Sequence, residues 1–328
     1  MSVLGIDVSK AKLDCCLYTQ DIQSKQKNKT FDNESKGLQK LIQWVMQQDC
    51  IPDKTHVVLE ATSTYHEIAA LTLHQAGFIV SVVNPAHVRS FAKGLAILTK
   101  TDRVDSMVLA KFCALAQPKR WQPPSDEVLL LKALLSRKDA LATDLQREKN
   151  RLEKSIATYT PQSILDSINE SIHFIEVAIA KLDDDIDQHI QQHAELKKDR
   201  DLMQTIPAVG QKTSLILLSL IHTHQFESAE QLAAYLGLVP IEHKSGSSVN
   251  GRAHLSKSGD PQIRRVLYMA AVVAVQYNPH ISALYARLLK RGKAKMSAIG
   301  AAMRKLAHLC FGVVKNQVAY HRDYLLIK

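Results

Sequence analysis

The chain has 328 residues, enough for about two domains and at least one sizeable core. Its 42 Lys and Arg outnumber 32 Asp and Glu. The excess is local: residues 201–328 hold 16 basic and 6 acidic side chains, whereas residues 1–200 hold 26 of each, so a polyanionic partner is expected at the C-terminal end. No run of 18 apolar residues occurs and the N-terminus leads straight into a strand pattern, which predicts a cytosolic protein without membrane span, membrane partner or signal peptide.

Residues 3–8 form an apolar run that reads as a buried strand, with 13–18 and 29–32 as antiparallel partners. Residues 34–48 carry Leu38, Leu41, Ile42 and Val45 at helical spacing, with Asn33 as the expected N-cap. A strand over 57–60, a helix over 65–75 and a strand over 78–83 follow, stopped by Asn84-Pro85. A helix over 102–116 starts at the N-cap Thr101. Hairpin strands followed by β-α units predict an α/β domain of the RNase H-like (RuvC-like) class over residues 1–124. The cysteines Cys15, Cys16, Cys50, Cys113 and Cys310 show no CxxC pair or metal spacing, and read as reduced core thiols. Cys15 and Cys16 should face opposite sides of one strand.

Pro118, Pro123 and Pro124 mark a boundary around Trp121. Beyond it Val128, Leu131, Leu135, Ala142, Leu145, Leu152 and Ile156 keep a 3-4 spacing, and Ile168, Ile172, Ile175, Ile179, Leu182 and Ile186 repeat it on towards His193 and Leu196. With Thr160-Pro161 between them, these runs predict an antiparallel coiled-coil hairpin over 125–199, an arm suited to pairing with another copy or gripping nucleic acid. Residues 200–328 then read as a mainly α-helical domain. Its opening, Ile206-Pro207-Ala208-Val209-Gly210 before Lys212, resembles a helix-hairpin-helix turn whose backbone N–H groups favour a phosphate. Helices are expected over 228–236, 261–275, 280–291 and 297–314, with a polar, glycine-bearing loop over 241–260.

Four acids stand out. Asp7 and Glu60 each close an apolar run, where a carboxylate needs a partner such as a metal. Asp102 and Asp105 are spaced i, i+3 on one helix face. Together they could hold two divalent ions about 4 Å apart. Mg²⁺ is the expected ion, with Mn²⁺ the alternative, because all four donors are hard oxygens. The 14 histidines form no zincin pattern, and His56, His66 and His74 read as packing or solvent residues. In the loop, serine hydroxyls beside glycines offer a nucleophile that would need activation from elsewhere. Lys212, Arg252, Lys257, Arg264 and Arg265 are the candidate nucleic-acid contacts.

Seven strings occur in order: Gly5-Ile6-Asp7-Val8-Ser9-Lys10, Leu59-Glu60-Ala61-Thr62-Ser63-Thr64-Tyr65, Val83-Asn84-Pro85-Ala86, Lys100-Thr101-Asp102-Arg103-Val104-Asp105, Ile206-Pro207-Ala208-Val209-Gly210, Gly237-Leu238-Val239-Pro240 and Ser245-Gly246-Ser247-Ser248. Together they resemble the insertion sequence 110 family of transposases, bridge-RNA-guided DEDD recombinases related to Piv-type invertases. The resemblance spans Leu4 to about Val314. It implies that Asp7, Glu60, Asp102 and Asp105 are the catalytic metal ligands and that Ser245 is the nucleophile forming a covalent phosphoserine link to DNA. It further implies Holliday-junction strand exchange, donor and target DNA, a structured non-coding guide (bridge) RNA, and a tetramer built as a dimer of dimers in the bacterial cytosol or nucleoid. Ala208 departs from the pattern, since many relatives carry glycine there. The expected activity is excision and insertion of a mobile element. The alternatives are a junction nuclease that uses no serine, a site-specific DNA invertase, and a nucleic-acid-binding protein without catalysis.

Overall fold

The computed structural model describes residues 2–19, 25–61, 64–99, 101–242, 244–245, 249–250 and 254–321, with the backbone alone described at 244–245 and 249–250. It divides into two compact units, Met1–Pro123 and Pro124–Lys328.

The first unit is built on five strands: β1 (Ser2–Val8), β2 (Lys12–Tyr18), β3 (Lys27–Asp32), β4 (Thr55–Glu60) and β5 (Ile79–Val83). They lie in the order β3-β2-β1-β4-β5. The first three form an antiparallel meander, and β4 and β5 run parallel to β1. Four helices cover the sheet: α1 (Ser35–Met46), α2 (Glu67–Gln75), α3 (Pro85–Gly94) and α4 (Asp102–Ala116). Strict alternation sorts the side chains. Leu4, Ile6, Val57 and Leu59 pack with α1 and α2, whereas Val3, Val58 and Val83 pack with α3 and α4. Cys15 and Cys16 split between the same two layers, and all five cysteines are free and buried. A mixed sheet of this order, covered on both faces, fits the RNase H-like expectation.

Two expectations change. Asn33 does not cap α1; Glu34 holds the N-cap position without a side-chain hydrogen bond, and the Asn33 amide is used elsewhere. Asn84-Pro85 ends β5 but also starts α3. The Asn84 side chain accepts from the Ala86 N–H at 2.8 Å, and Pro85 fills the first helical turn, where no amide is needed. Trp121 belongs to this unit: its N–H donates to the Val80 carbonyl at 2.7 Å, and its ring meets His74 edge-on.

The second unit is mainly helical: α5 (Asp126–Ile156), α6 (Gln162–Gln192), α7 (Ala194–Gln204), α8 (Gln211–His224), α9 (Ala229–Tyr235), α10 (Pro261–Tyr277), α11 (Pro279–Lys290) and α12 (Lys295–Asn316). The ion pairs Lys138–Asp183 and Lys149–Glu176 ascend α5 while descending α6, so the two helices run antiparallel. At 31 residues each they are about 46 Å long. One end is rooted in the main core through Val128, Leu131, Ile186 and Ile190, while Leu141, Ile168 and Ile172 are buried further along. The helical run breaks at His193, whose backbone is extended (φ −114°, ψ 100°), and restarts as α7. By length and mean hydropathy α12 could cross a membrane, although Arg304 and Lys305 interrupt its apolar run. Here it is a core helix, with Ile299, Met303, Leu306, Cys310 and Val313 among its buried residues.

Between α9 and α10 lie four two-residue strands: β6 (Pro240–Ile241), β7 (Lys244–Ser245), β8 (Val249–Asn250) and β9 (His254–Leu255). β6 pairs with β9 and β7 with β8, both antiparallel. The segment expected as an unpaired loop therefore carries a β-ribbon.

Candidate active site

Asp7 and Glu60 arrive together because β1 and β4 are paired in register as far as Ile6 and Leu59. The next residue on each strand leaves the ladder at the same level, and both belong to the face that packs with α4. That helix comes unusually close. A Cβ on Gly5 would overlap the carbonyl oxygen of Ser106 and the amide nitrogen of Ala110, so only glycine lets α4 lie directly on β1 two residues before Asp7. The first turn of α4 carries Asp102 and Asp105, and Thr101 caps it as expected by accepting from the Val104 N–H at 3.3 Å.

The electrostatics show the convergence. The Asp7 carboxyl is pushed up from 3.8 to about 6, first by burial and then by the charges of Asp105, Glu60, Asp102 and Asp14. Asp7, Glu60 and Asp105 are half-buried and Asp102 is exposed, so the cluster opens to solvent on the helix side. Asp14 was missed by sequence reasoning. It sits directly opposite Asp7 in the β1–β2 register and accepts from the Thr30 hydroxyl at 2.6 Å. The register of a tight hairpin was the signal that could have found it. Asn33 links the two loops beyond the strand ends: its amide donates to the Ser9 carbonyl at 3.0 Å and to the Tyr65 carbonyl at 3.1 Å.

Among the described residues no three His, Cys, Asp or Glu side chains form a ready-made metal cage. The fit to a divalent cation therefore lies in donor chemistry. Asp7 is disfavoured in its charged form by burial and by the charges of Asp105, Glu60 and Asp102; all four are hard oxygen donors, and a hard cation would relieve that field. His56 stays outside this group: it is buried beside Ser81, with 2.8 Å between Nε2 and the hydroxyl.

On the second unit, Ser245 ends β7 with Val249 as its backbone partner on β8. Its side chain lies outside the described residues, as do His243, residues 246–248 and Arg252. The frame around the ribbon is well defined. Gly237 has φ +70°, and a Cβ there would meet the Ser258 amide at 2.7 Å; a Cβ on Gly259 would overlap the Tyr235 carbonyl. Two glycines thus allow the segments at 235–237 and 257–259 to touch backbone to backbone. Arg264 is half-buried and donates to the Gly259 carbonyl, bracing the same frame. Lys212, Lys257 and Arg265 are exposed. Just before α8, Ala208 has φ +79°, a left-handed conformation that favours glycine.

Comparisons with known proteins agree with these motifs. Residues 4–161 match a family model described as a DEDD transposase of the IS110 type, and residues 200–286 match the transposase IS116/IS110/IS902 family. The chain is 33% identical to a pilin gene-inverting protein of Moraxella bovis over 315 residues, 95% of each chain, and 34% identical to that of Moraxella lacunata over the same share. A transposase for insertion sequence element IS1111A of Coxiella burnetii is 23% identical, covering 83% of this chain and 77% of that protein. A solved T. thermophilus RuvC in complex with Holliday junction substrate aligns with 37% of this chain and 99% of that one, at 12% identity and a TM-score of 0.28.

Proposed function

The chain belongs to the IS116/IS110/IS902 family of transposases and is a DNA recombinase or transposase; on that footing we propose that it cuts and rejoins DNA through Ser245, with Asp7, Glu60, Asp102 and Asp105 holding Mg²⁺. The observation that carries this reading is that Asp7 and Glu60 share the sheet face on which α4 packs, and that the charges of Glu60 and of Asp102 and Asp105 in the first turn of α4 act with burial to push the Asp7 carboxyl up to about 6. When bound, divalent ions supply Lewis-acid stabilisation of the charge that builds on a transferring phosphate.

The serine oxygen bonds to phosphorus, a bond from phosphorus to a sugar oxygen breaks, and the departing oxygen takes up a proton. The phosphoserine ester keeps the phosphodiester's energy, so rejoining to another sugar hydroxyl requires no nucleotide cofactor. Strand exchange then proceeds through a Holliday junction. Lys212, Arg252, Lys257, Arg264 and Arg265 hold backbone phosphates, and Arg264 also braces the turn at Gly259.

The domain bounds 1–124, 125–199 and 200–328 assign catalysis, a coiled-coil arm and serine presentation respectively. The family resemblance further supports a guide RNA that pairs with donor and target DNA. It also supports a tetramer, a dimer of dimers acting in the bacterial cytosol, in which one subunit's carboxylates meet another's serine. Sequence choice then rests on base pairing, while the protein grips backbone and duplex shape.

The outcome proposed is excision and insertion of a mobile element. Inversion of a DNA segment is the second reading, favoured by the likeness to two pilin gene-inverting proteins over 95% of the chain. Wild type, Ser245→Ala and Asp102→Asn, given Mg²⁺, RNA transcribed from the flank of the gene and both DNAs, test the reading on a denaturing gel. A covalent protein-DNA adduct present in wild type and absent from both variants is expected. Cleavage surviving Ser245→Ala but lost in Asp102→Asn would assign the chemistry to metal-activated water. Sequencing the joined products separates insertion from inversion.

A further inference from the structure

Residues 261–322 contain 11 Lys and Arg and not one Asp or Glu. Five of these cations, Arg287, Lys290, Arg291, Lys293 and Lys295, fall within nine residues where α11 ends and α12 begins. All five are exposed, as is every residue from 291 to 297. The corner has a defined shape. Gly292 adopts φ +74°, its N–H donates to the Leu289 carbonyl at 2.9 Å, and the Lys293 N–H donates to the Leu288 carbonyl at 3.1 Å.

A solvated charged surface is the bland account, and the α5–α6 pair shows what that looks like in this protein. There Arg147 pairs with Asp144 at 3.0 Å, Lys149 with Glu176 at 2.8 Å, and Arg151 and Lys138 also have acidic partners. At the α11–α12 corner none of the five cations has an ion pair among the described residues. Arg287, Lys290 and Arg291 do suit the negative end of α11. Lys293 and Lys295 flank the positive end of α12, whose first turn holds no acid and whose N-cap Ala294 gives no side-chain bond. Like charges three and four residues apart repel by about 0.2–0.5 kcal/mol per pair. No ion pair among the described residues offsets this repulsion at the exposed corner.

We propose that the α11–α12 corner is a docking surface for the sugar-phosphate backbone of duplex DNA. The inference deepens the recombinase reading and rests on DNA being the substrate. The composition selects a duplex over a splayed single strand: residues 286–297 contain no aromatic side chain on which an unpaired base could stack. They also contain no Asp or Glu that would repel a phosphate.

The test is fluorescence anisotropy with the full chain and a 30-base-pair duplex of arbitrary sequence, titrated from about 50 to 300 mM KCl, a range over which phosphate contacts lose affinity steeply. One variant replaces Lys290, Arg291, Lys293 and Lys295 by alanine; a control replaces exposed Lys36, Lys40, Lys54 and Lys198 and removes the same charge. Each phosphate contact contributes about 0.9 to the slope of log affinity against log salt, so the corner variant should lose about 2 to 4 and the control under about 1. Lys293→Glu, a single exposed change in case the multiple variant folds poorly, should lose about 1 to 2. Equal losses in both four-residue variants overturn the proposal, as does a larger loss on single-stranded RNA of the same length than on the duplex. Absence of duplex binding by wild type instead sinks the DNA-substrate reading, and the corner assignment falls with it.

Discussion

Asp7→Asn should stabilise the metal-free protein at neutral pH while abolishing DNA joining. The Asp7 carboxyl is raised from 3.8 to about 6 by burial and by the neighbouring acids Asp105, Glu60, Asp102 and Asp14. Two units at 1.36 kcal/mol each give about 3 kcal/mol as an upper bound. Asp7 is half-buried, and screening reduces this to about 1–2 kcal/mol. The sign follows from linkage. An acid whose folded pKa is raised binds its proton more tightly when folded, so its cost is absent below pH 4, grows between pH 4 and 6, and is complete above. Thermal melts of wild type and Asp7→Asn in EDTA from pH 4 to 7.5 read this group together with the acids coupled to it, because uncoupled titrations cancel in the difference. Near pH 4 the curves should meet; at pH 7.5 the variant's first-unit transition should lie about 3–6 °C higher. Millimolar Mg²⁺ should raise the wild type and leave the variant unmoved, narrowing or reversing the gap. A variant less stable than wild type by the same amount at every pH would refute the reasoning, since the carboxylate would then be a favourable structural group rather than one held against its preference.

Two further substitutions probe the backbone. Ala208→Gly should raise the melting temperature of the second unit by about 2–4 °C, because relief of about 1–2 kcal/mol of left-handed strain exceeds glycine's entropic cost of about 0.5–1 kcal/mol; a fall would show that Ala208 packs better than its φ of +79° suggests. Gly5→Ala should destabilise the first unit by about 3 kcal/mol, since the added carbon meets backbone atoms of α4 that no rotamer change can move, whereas Gly94→Ala, with nothing within 4 Å of the added carbon, should be nearly neutral; equal melting temperatures for the two variants would refute the close approach of α4 to β1.

Much of the first unit was legible because its signal is local. Short, mostly apolar runs at residues 3–8, 13–18 and 57–60 mark buried strands, and Thr101 caps α4 where the sequence placed a cap. The failures are all cases in which the partner is distant or two rules compete. Asn33 precedes a helix and carries a capping side chain, yet its amide is claimed by carbonyls 24 and 32 residues away, which no local pattern encodes. Asn84-Pro85 stops a strand and starts a helix with the same two residues, and reading only the stop hid α3. The β-ribbon around Ser245 has strands of two residues, too short for alternation to register. Its position was legible only through the glycines that frame it, Gly237 and Gly259, whose reason is a backbone contact across more than twenty residues. Gly5 belongs to the same class: it lies in the motif Gly5-Ile6-Asp7, but its purpose is to admit α4.

The candidate site and the α11–α12 corner share one physical character with opposite signs. In each, the fold gathers like charges: acids around Asp7, cations around Gly292. Along α5 and α6, by contrast, Lys138, Arg147, Lys149 and Arg151 each have an acidic partner. A cluster of like charges costs stability in the free protein and returns it when a counter-charge binds. Divalent cations suit the first cluster and backbone phosphates the second. Binding of metal to the carboxylates and of DNA to the basic corner should therefore each raise the melting temperature of wild type, and Asp7→Asn should lose the first increment while keeping the second.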